Sequence, residues 1–382
     1  MQGPILVLNA GSSSIKLTLF APDLTQLLTG VADGIGGQSR LRLGAEARAL
    51  SLPDHDAALR AVFEGLSARG ITLDGLGVVG HRVVHGGRDL TRPVRITPDI
   101  RKGIAACIPL APLHNPHNLA AIDAIARLAP DVPQTASFDT AFHSTNPDLA
   151  ALYALPRTYA ARGIRRYGFH GLSYSALVRN MPSVTAAPLP RRVLACHLGN
   201  GASLCAIRDG QSVATTMGYS PLEGLTMGTR SGSLDPNAVL RLVEEEGLEA
   251  THRLLNHKAG LLGLSGLSAD MRALSEDDSE DSAFAVAHFG YWAARHAGSM
   301  IAAMGGCDAI VFTGGIGENA AAVRADIAGY LDWLGVAIDP ERNQRGGPAL
   351  HRDGAQVTAW VIAADEEREI ARDAASLLER MQ

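Results

Sequence analysis

Two short apolar runs, far apart in the chain, are each broken by a small-residue turn and followed at once by a return run. In the first, Ile5 to Ala10 meets Gly11-Ser12-Ser13, and Ile15, Leu17 and Leu19 then alternate onto one face while Lys16 falls on the other. In the second, Val193 to His197 leads into Leu198-Gly199-Asn200-Gly201, Ala202 to Ile207 returns, and Asp209-Gly210 forms a further hairpin turn. Gly11 and Gly201 stand about half of the 382-residue chain apart, the spacing left when one domain type is used twice. A chain of this length also exceeds what one hydrophobic core supports, so two domains are expected.

A third unit runs from Asp308 to Thr313, through Gly314-Gly315-Ile316-Gly317, into a helix expected to begin near Glu318 and to carry Ala321, Val323 and Ile327. Apolar residues recurring at three and four predict helices over 55–69, 117–129, 235–247, 283–304 and 366–380, giving a mixed α/β fold. Met181 to Arg192, with three prolines, reads as a loop, and the acidic run Glu276 to Asp281 as a solvated turn.

Composition narrows the function. Hydrophobic residues make up 46% and charged residues 19%, which favours compact folded domains over disorder. The net charge of −5 comes without any Lys/Arg block, so nucleic acid is not an expected partner. No run approaches the length of a membrane span or a signal segment. Cys107, Cys196, Cys205 and Cys307 form no CxxC pair and read as buried free thiols in a reducing compartment. A cytoplasmic protein is the expectation.

All three glycine turns, at 11–14, 199–201 and 314–317, follow apolar strands, where small residues let backbone N–H groups approach anionic oxygens closely. Phosphate binding is their shared prediction. The GxxxxGK[ST] loop and the paired dinucleotide fingerprint are both absent, so any nucleotide binds on another fold.

Asn9-Ala10-Gly11-Ser12-Ser13-Ser14 at the N-terminus resembles the signature of the acetate kinases. Gly80-His81-Arg82-Val83-Val84-His85-Gly86-Gly87, Pro112-Leu113-His114-Asn115-Pro116, Phe138-Asp139-Thr140-Ala141-Phe142-His143 and Tyr167-Gly168-Phe169-His170-Gly171 resemble that family's successive blocks. So do His197 to Gly201, Met227-Gly228-Thr229-Arg230-Ser231-Gly232, Gly314 to Asn319 and Asp365-Glu366-Glu367. The resemblance implies two ribonuclease H-like domains of the actin, Hsp70 and sugar kinase superfold flanking a central nucleotide cleft. It implies domains of residues 1–139 plus 366–382 and 140–365, with a homodimer formed through the second. The activity implied is Mg²⁺-dependent (or Mn²⁺-dependent) transfer of the ATP γ-phosphoryl group to acetate or another short fatty acid, giving ADP.

Residue by residue, the resemblance assigns Asn9 and Glu366 to the metal, and Asp139, His170 and Arg230 to catalysis. Arg82, Val84, Leu113, Phe169 and Pro221 would hold the acid. Lys16, His197, Leu198, Gly199, Asn200, Gly201, Asp270, Met271, Arg272, Gly315, Ile316, Gly317, Glu318 and Asn319 would contact the nucleotide.

The residues themselves constrain these roles. Arg82 stands in an apolar run, where an unpaired guanidinium would cost about 3–5 kcal/mol, so it needs an anion, either a protein carboxylate or the substrate. A carboxylic acid is already ionised at pH 7, so Asp139 is expected to orient an arginine or a metal-bound water rather than to remove a proton. His81 and His85 lie on a predicted strand without an HExxH helix, so zinc is not expected. The chain departs from the family pattern at Ser233, Ala269 and Asp365, where an acidic residue, a serine and an asparagine are usual. A propionate or butyrate kinase is an alternative, as is a non-catalytic nucleotide-binding module, which would have no use for Arg82 and Arg230.

Overall fold

A computed structural model describes residues 3–379; Met1, Gln2 and residues 380–382 of the expected terminal segments lie outside the described residues. The chain forms two compact units, one running to Phe142 and resuming at Asp365, the other spanning His143–Ala364. The sequence reading put the changeovers at 139 and 366.

In the first unit eight strands form one sheet: β1 Ile5–Ala10, β2 Ser14–Phe20, β3 Gln26–Asp33, β4 Arg40–Leu43, β5 Glu46–Ala49, β6 Val78–Val83, β7 Val94–Arg95 and β8 Gln134–Phe138. Their order is β5-β4-β3-β2-β1-β6-β8-β7. The second sheet has β9 Arg192–Leu198, β10 Ala202–Arg208, β11 Gln211–Thr215, β12 Ala309–Thr313 and β13 Thr358–Val361, ordered β11-β10-β9-β12-β13.

The repeat is visible in the pairing. Three antiparallel strands, β3-β2-β1, continue into parallel β6 and β8, and β11-β10-β9 likewise continue into parallel β12 and β13. These are the two ribonuclease H-like α/β units expected. Aligning the three-residue hairpin turns matches Gly11 with Gly199, so the sequence pairing of Gly11 with Gly201 is out by two positions. The central strands β1, β9 and β12 are apolar almost throughout because helices cover both faces of a parallel region.

Helices His55–Ser67, Asn115–Leu128, Pro236–Glu246, Glu280–Met304 and Glu366–Glu379 occupy the periodic segments. Two expectations are corrected. Helix Gly171–Thr185 runs through Pro182, so the loop is confined to 186–191; burial of Leu177 and Met181 outweighs the cost of about 3 kcal/mol for an internal proline. The segment Gly314–Asn319 is itself helical, since the Glu318 carboxylate reaches back to accept from Gly314 N at 3.0 Å. Glu280 and Asp281 of the acidic run open the long helix, where its macrodipole favours negative charge.

Helix Glu366–Glu379 lies on the first sheet. Gly80 of β6 makes room for it, because a Cβ there would sit 2.9 Å from Ile370 Cγ2, and Ser137 Oγ donates to Asp373 at 2.8 Å. That packing fixes where Glu366, at the helix start, falls beside β6.

The four cysteines are free and buried. Among the described residues no helix is long and apolar enough to cross a membrane, and no group of three or more His, Cys, Asp or Glu could hold a metal ion alone.

Candidate functional site

Arg82 projects from β6, and Asp139 follows directly on the end of β8, where its backbone N donates to Val83 O at 3.1 Å. The two meet in a fork: Arg82 Nε donates to Asp139 Oδ1 at 2.9 Å and Nη2 to Oδ2 at 2.7 Å. Of the two anions the sequence left open for Arg82, a protein carboxylate holds this edge of the guanidinium. Nη1, on the other edge, lies 3.7 Å from Glu366 Oε2. Burial works against the Arg82 charge, but Asp139 and then Glu366 outweigh it and hold its pKa above the ordinary value.

Glu366 is the complement. Burial lifts its carboxyl above the usual range, Arg82 draws it down, Asp139 pushes it up and Lys16 draws it down. Lys16, exposed on β2, is the register partner of Asn9 at the end of β1. Half-buried, Asn9 makes no side-chain hydrogen bond to any described residue. The first unit thus gathers Asn9, Lys16, Arg82, Asp139 and Glu366 with a surplus of oxygen donors.

Sequence reasoning missed the residues that hold this cluster in place. Asn118, 2% exposed, donates to Ala10 O at 2.8 Å and accepts from Val84 N at 3.1 Å, joining the segments beyond β1 and β6 with one amide. Asn115 binds both the N–H and the carbonyl of His85, at 3.1 and 3.0 Å. Their signal was visible only as polar residues on an otherwise apolar helix face. Val84 is half-buried and Leu113 is 40% exposed. His81 and His85 are buried, and desolvation pushes both pKa values down to about 4, so they are neutral at pH 7.

In the second unit His170 caps helix Gly171–Thr185 with φ of 58°, a left-handed conformation uncommon outside glycine. Its Nδ1 meets Ser203 Oγ at 2.9 Å, and its ring stacks on His197 at 4.1 Å between centroids, which turns Nε2 toward the Gly199–Gly201 turn. Arg230 reaches the same spot. A Cβ on Gly201 would lie 2.9 Å from Arg230 Nη2 and 3.3 Å from His170 Nε2, so glycine is what lets both side chains crowd this backbone. Arg230 Nη1 donates to Pro221 O at 2.6 Å. No described carboxylate pairs with this guanidinium, and burial lowers its pKa.

Beside that convergence lies a cleft of about 830 Å³ lined by Gly199, Asn200, Asp270, Met271, Arg272, Gly315, Ile316 and Asn319, together with Ala269, Ser275, Glu276 and Ala320, which sequence reasoning did not assign. Gly228 packs against Asn200, and Asp270 Oδ1 accepts from Arg272 N at 2.8 Å, shaping its wall.

Six of the residues matched to nucleotide contacts do not line the cleft. Leu198 is fully buried in β9, Gly317 packs on β12, and Glu318 is engaged with Gly314 N and Ala364 N. His197 supports His170 through the ring stack and binds Ser173 Oγ at 2.8 Å, and Gly201 faces Arg230. Lys16 belongs to the first unit. The apolar set is likewise divided: Val84 and Leu113 sit in the first unit, and Phe169, fully buried, and Pro221 in the second.

The departures from the family pattern are accommodated. Ser233 Oγ accepts from Gly224 N at 3.1 Å, Ala269 lines the cleft, and Asp365 accepts from Arg368 Nε at 2.7 Å.

The sequence matches the acetokinase family over residues 4–372. It is 44% identical to an acetate kinase of Rhodopseudomonas palustris, over 97% of this chain and 98% of the relative. The crystal structure of Porphyromonas gingivalis acetate kinase superposes with a TM-score of 0.90 at 36% identity, over 98% of this chain and all of the other. A propionate kinase from Francisella tularensis gives a TM-score of 0.93 at 36% identity with the same coverage.

Proposed function

The chain belongs to the acetokinase family, a family of phosphotransferases with a carboxyl acceptor, and on that premise we propose that it transfers the γ-phosphoryl group of ATP reversibly to acetate, with Mg²⁺, by direct in-line attack. The observation that carries this reading is Arg230: a half-buried cation with no carboxylate counter-ion among the described residues, aimed with His170 at a glycine turn beside a nucleotide-sized cleft.

The chemistry follows from charge. Acetate is already ionised at pH 7, so no base is needed; the barrier is the approach of one anion to another. Donors fixed before reaction lower that barrier most. Arg82 would seat the acid through its Nη1 side while Asp139 fixes the plane of the guanidinium. Arg230 and His170 would bind the equatorial oxygens of the transferring group, and the cleft around Gly315 and Asp270 would hold the nucleotide.

Asn9 and Glu366 fit Mg²⁺. Both are hard oxygen donors, the Asn9 amide is uncommitted among the described residues, and the carboxylates of Asp139 and Glu366 outnumber the single Arg82 charge between them. When bound, the ion supplies neutralisation of phosphate charge. Two protein ligands suit an ion that keeps water and phosphate oxygens as the rest of its shell. The exposed aromatic residues Phe284, Tyr291, Tyr330 and Trp333 of the second unit support a homodimer through that unit.

Propionate is the second reading, favoured by the similarity to the Francisella propionate kinase. One methylene changes binding by about 1 kcal/mol, so both acids are expected to react. Acyl phosphate formation, trapped as the hydroxamate with acetate, propionate and butyrate at equal ATP, tests the reading. No product with any of the three acids would reject it.

A further inference from the structure

Arg230 is anchored through a single atom. The guanidinium's one hydrogen bond among the described residues runs from Nη1 to the Pro221 carbonyl, so the aim of Nη2 at Gly201 and His170 depends on where that carbonyl sits. Pro221 belongs to an irregular segment between β11 and the Met227–Gly232 loop, with no ladder to hold it.

Side chains hold it instead. On one side, Ser233 latches the segment, its Oγ accepting from Gly224 N at 3.1 Å and its N donating to Gly224 O at 2.9 Å. Closer in, two residues from Pro221, the Glu223 carboxylate is gripped at both oxygens. Oε1 accepts from Arg166 Nη2 at 3.0 Å and Nε at 3.2 Å, and Oε2 accepts from the Tyr153 hydroxyl.

The Tyr153 oxygen in turn accepts from Tyr219 N at 2.9 Å, so this cluster clasps the segment on both sides of Pro221. Arg166 closes the cluster, its guanidinium 4.3 Å from the Tyr153 ring centre and its backbone N donating to Ala151 O at 2.7 Å. Burial, then Glu223, keeps the Tyr153 hydroxyl protonated and therefore a donor. Arg166 thus pairs with the Glu223 carboxylate, while no carboxylate among the described residues pairs with Arg230.

We propose that Glu223, held by Tyr153 and Arg166, is a positioning residue for Arg230, acting through the Pro221 carbonyl. The inference rests on Arg230 being the group that binds the transferring phosphoryl oxygens. A guanidinium displaced by a fraction of its reach still binds anions but no longer meets the charge that develops in transfer, so turnover suffers rather than nucleotide binding.

Glu223→Ala, Glu223→Gln and Tyr153→Phe, each made in the wild-type and Arg230→Lys backgrounds, test this by hydroxamate kinetics and by calorimetry of ADP binding. Glu223→Ala is expected to lower kcat by about tenfold to a hundredfold while leaving the ADP Kd within about twofold. Tyr153→Phe should cost less, and Glu223→Gln should recover most of the rate because an amide oxygen still accepts from Arg166. On Arg230→Lys, Glu223→Ala should add little, since both changes act through one group.

An unchanged kcat in Glu223→Ala, a penalty that multiplies in full on Arg230→Lys, or a parallel loss of ADP affinity would overturn the proposal. If Glu223→Ala does not fold, Tyr153→Phe, which removes one oxygen atom, decides by the same criteria. A wild-type protein inactive on every acid would instead reject the reaction itself, and this inference with it.

Discussion

A methyl group placed on Gly201 would lie 2.9 Å from Nη2 of Arg230, closer than carbon and nitrogen tolerate without movement. The glycine therefore belongs to the arginine as much as to the turn. Gly201→Ala is expected to displace the guanidinium and lower kcat by about tenfold to a hundredfold. Calorimetry should find ADP binding largely retained, because Gly201 does not line the nucleotide cleft. Equal loss of rate and ADP affinity would mean that the turn itself had collapsed.

Asp139 and Arg82 test whether a carboxylate at a catalytic cluster removes a proton or fixes a cation. Asp139→Asn keeps the shape of the side chain but loses its charge and turns one of the two oxygens that accept from Arg82 into an amide donor. The acid KM should rise and kcat should fall, with the pH profile retaining its shape because no proton is taken. Disappearance of an acidic limb from that profile would assign Asp139 as a base.

Glu366 makes a thermodynamic signature available. Burial raises its folded pKa above the unfolded value, so the native state binds more protons between the two, and stability falls as pH rises through that window. Glu366→Gln should therefore raise the Tm of the ligand-free protein at pH 7–8 and leave it nearly unchanged below pH 4. Added Mg²⁺ should stabilise the wild type and not the variant, which differential scanning calorimetry would measure. A variant stabilised by Mg²⁺ as much as the wild type would remove Glu366 from the metal site.

The buried histidines set the acid limit. With folded pKa values depressed to about 4, His81 and His85 stay neutral in the native state while the unfolded chain takes up protons below pH 6.5. Stability is thus full above pH 6.5 and declines as pH falls toward 4, by up to about 3 kcal/mol for each. Replacing His81, which binds Gln134 at 2.8 Å, by Gln should flatten the urea-denaturation midpoint between pH 7 and 5 by about one proton's worth. An unaltered slope would place the acid sensitivity elsewhere.

Much of the fold was legible because hydrophobic period is local. The alternation of Ile15, Leu17 and Leu19, the apolar run before Gly199 and the three-and-four spacing over 283–304 each correspond to an observed element. Met181–Thr185 was misread because Pro182 looked decisive, whereas burial of Leu177 and Met181 governs that helix. Glu318 was matched to a nucleotide contact, but its carboxylate closes the helix start at Gly314, a bond no spacing rule reveals.

The sequence by itself determined most of the element types, the doubled architecture and the family, since motif order and periodicity are properties of the chain. Only tertiary structure decided which charge neutralises which: that Arg82 is gripped by Asp139, 57 positions away, while Arg230 has no carboxylate among the described residues and leans on a proline carbonyl. Electrostatic pairing depends on distances of 3–4 Å and on burial, and these arise only when strands remote in sequence lie side by side.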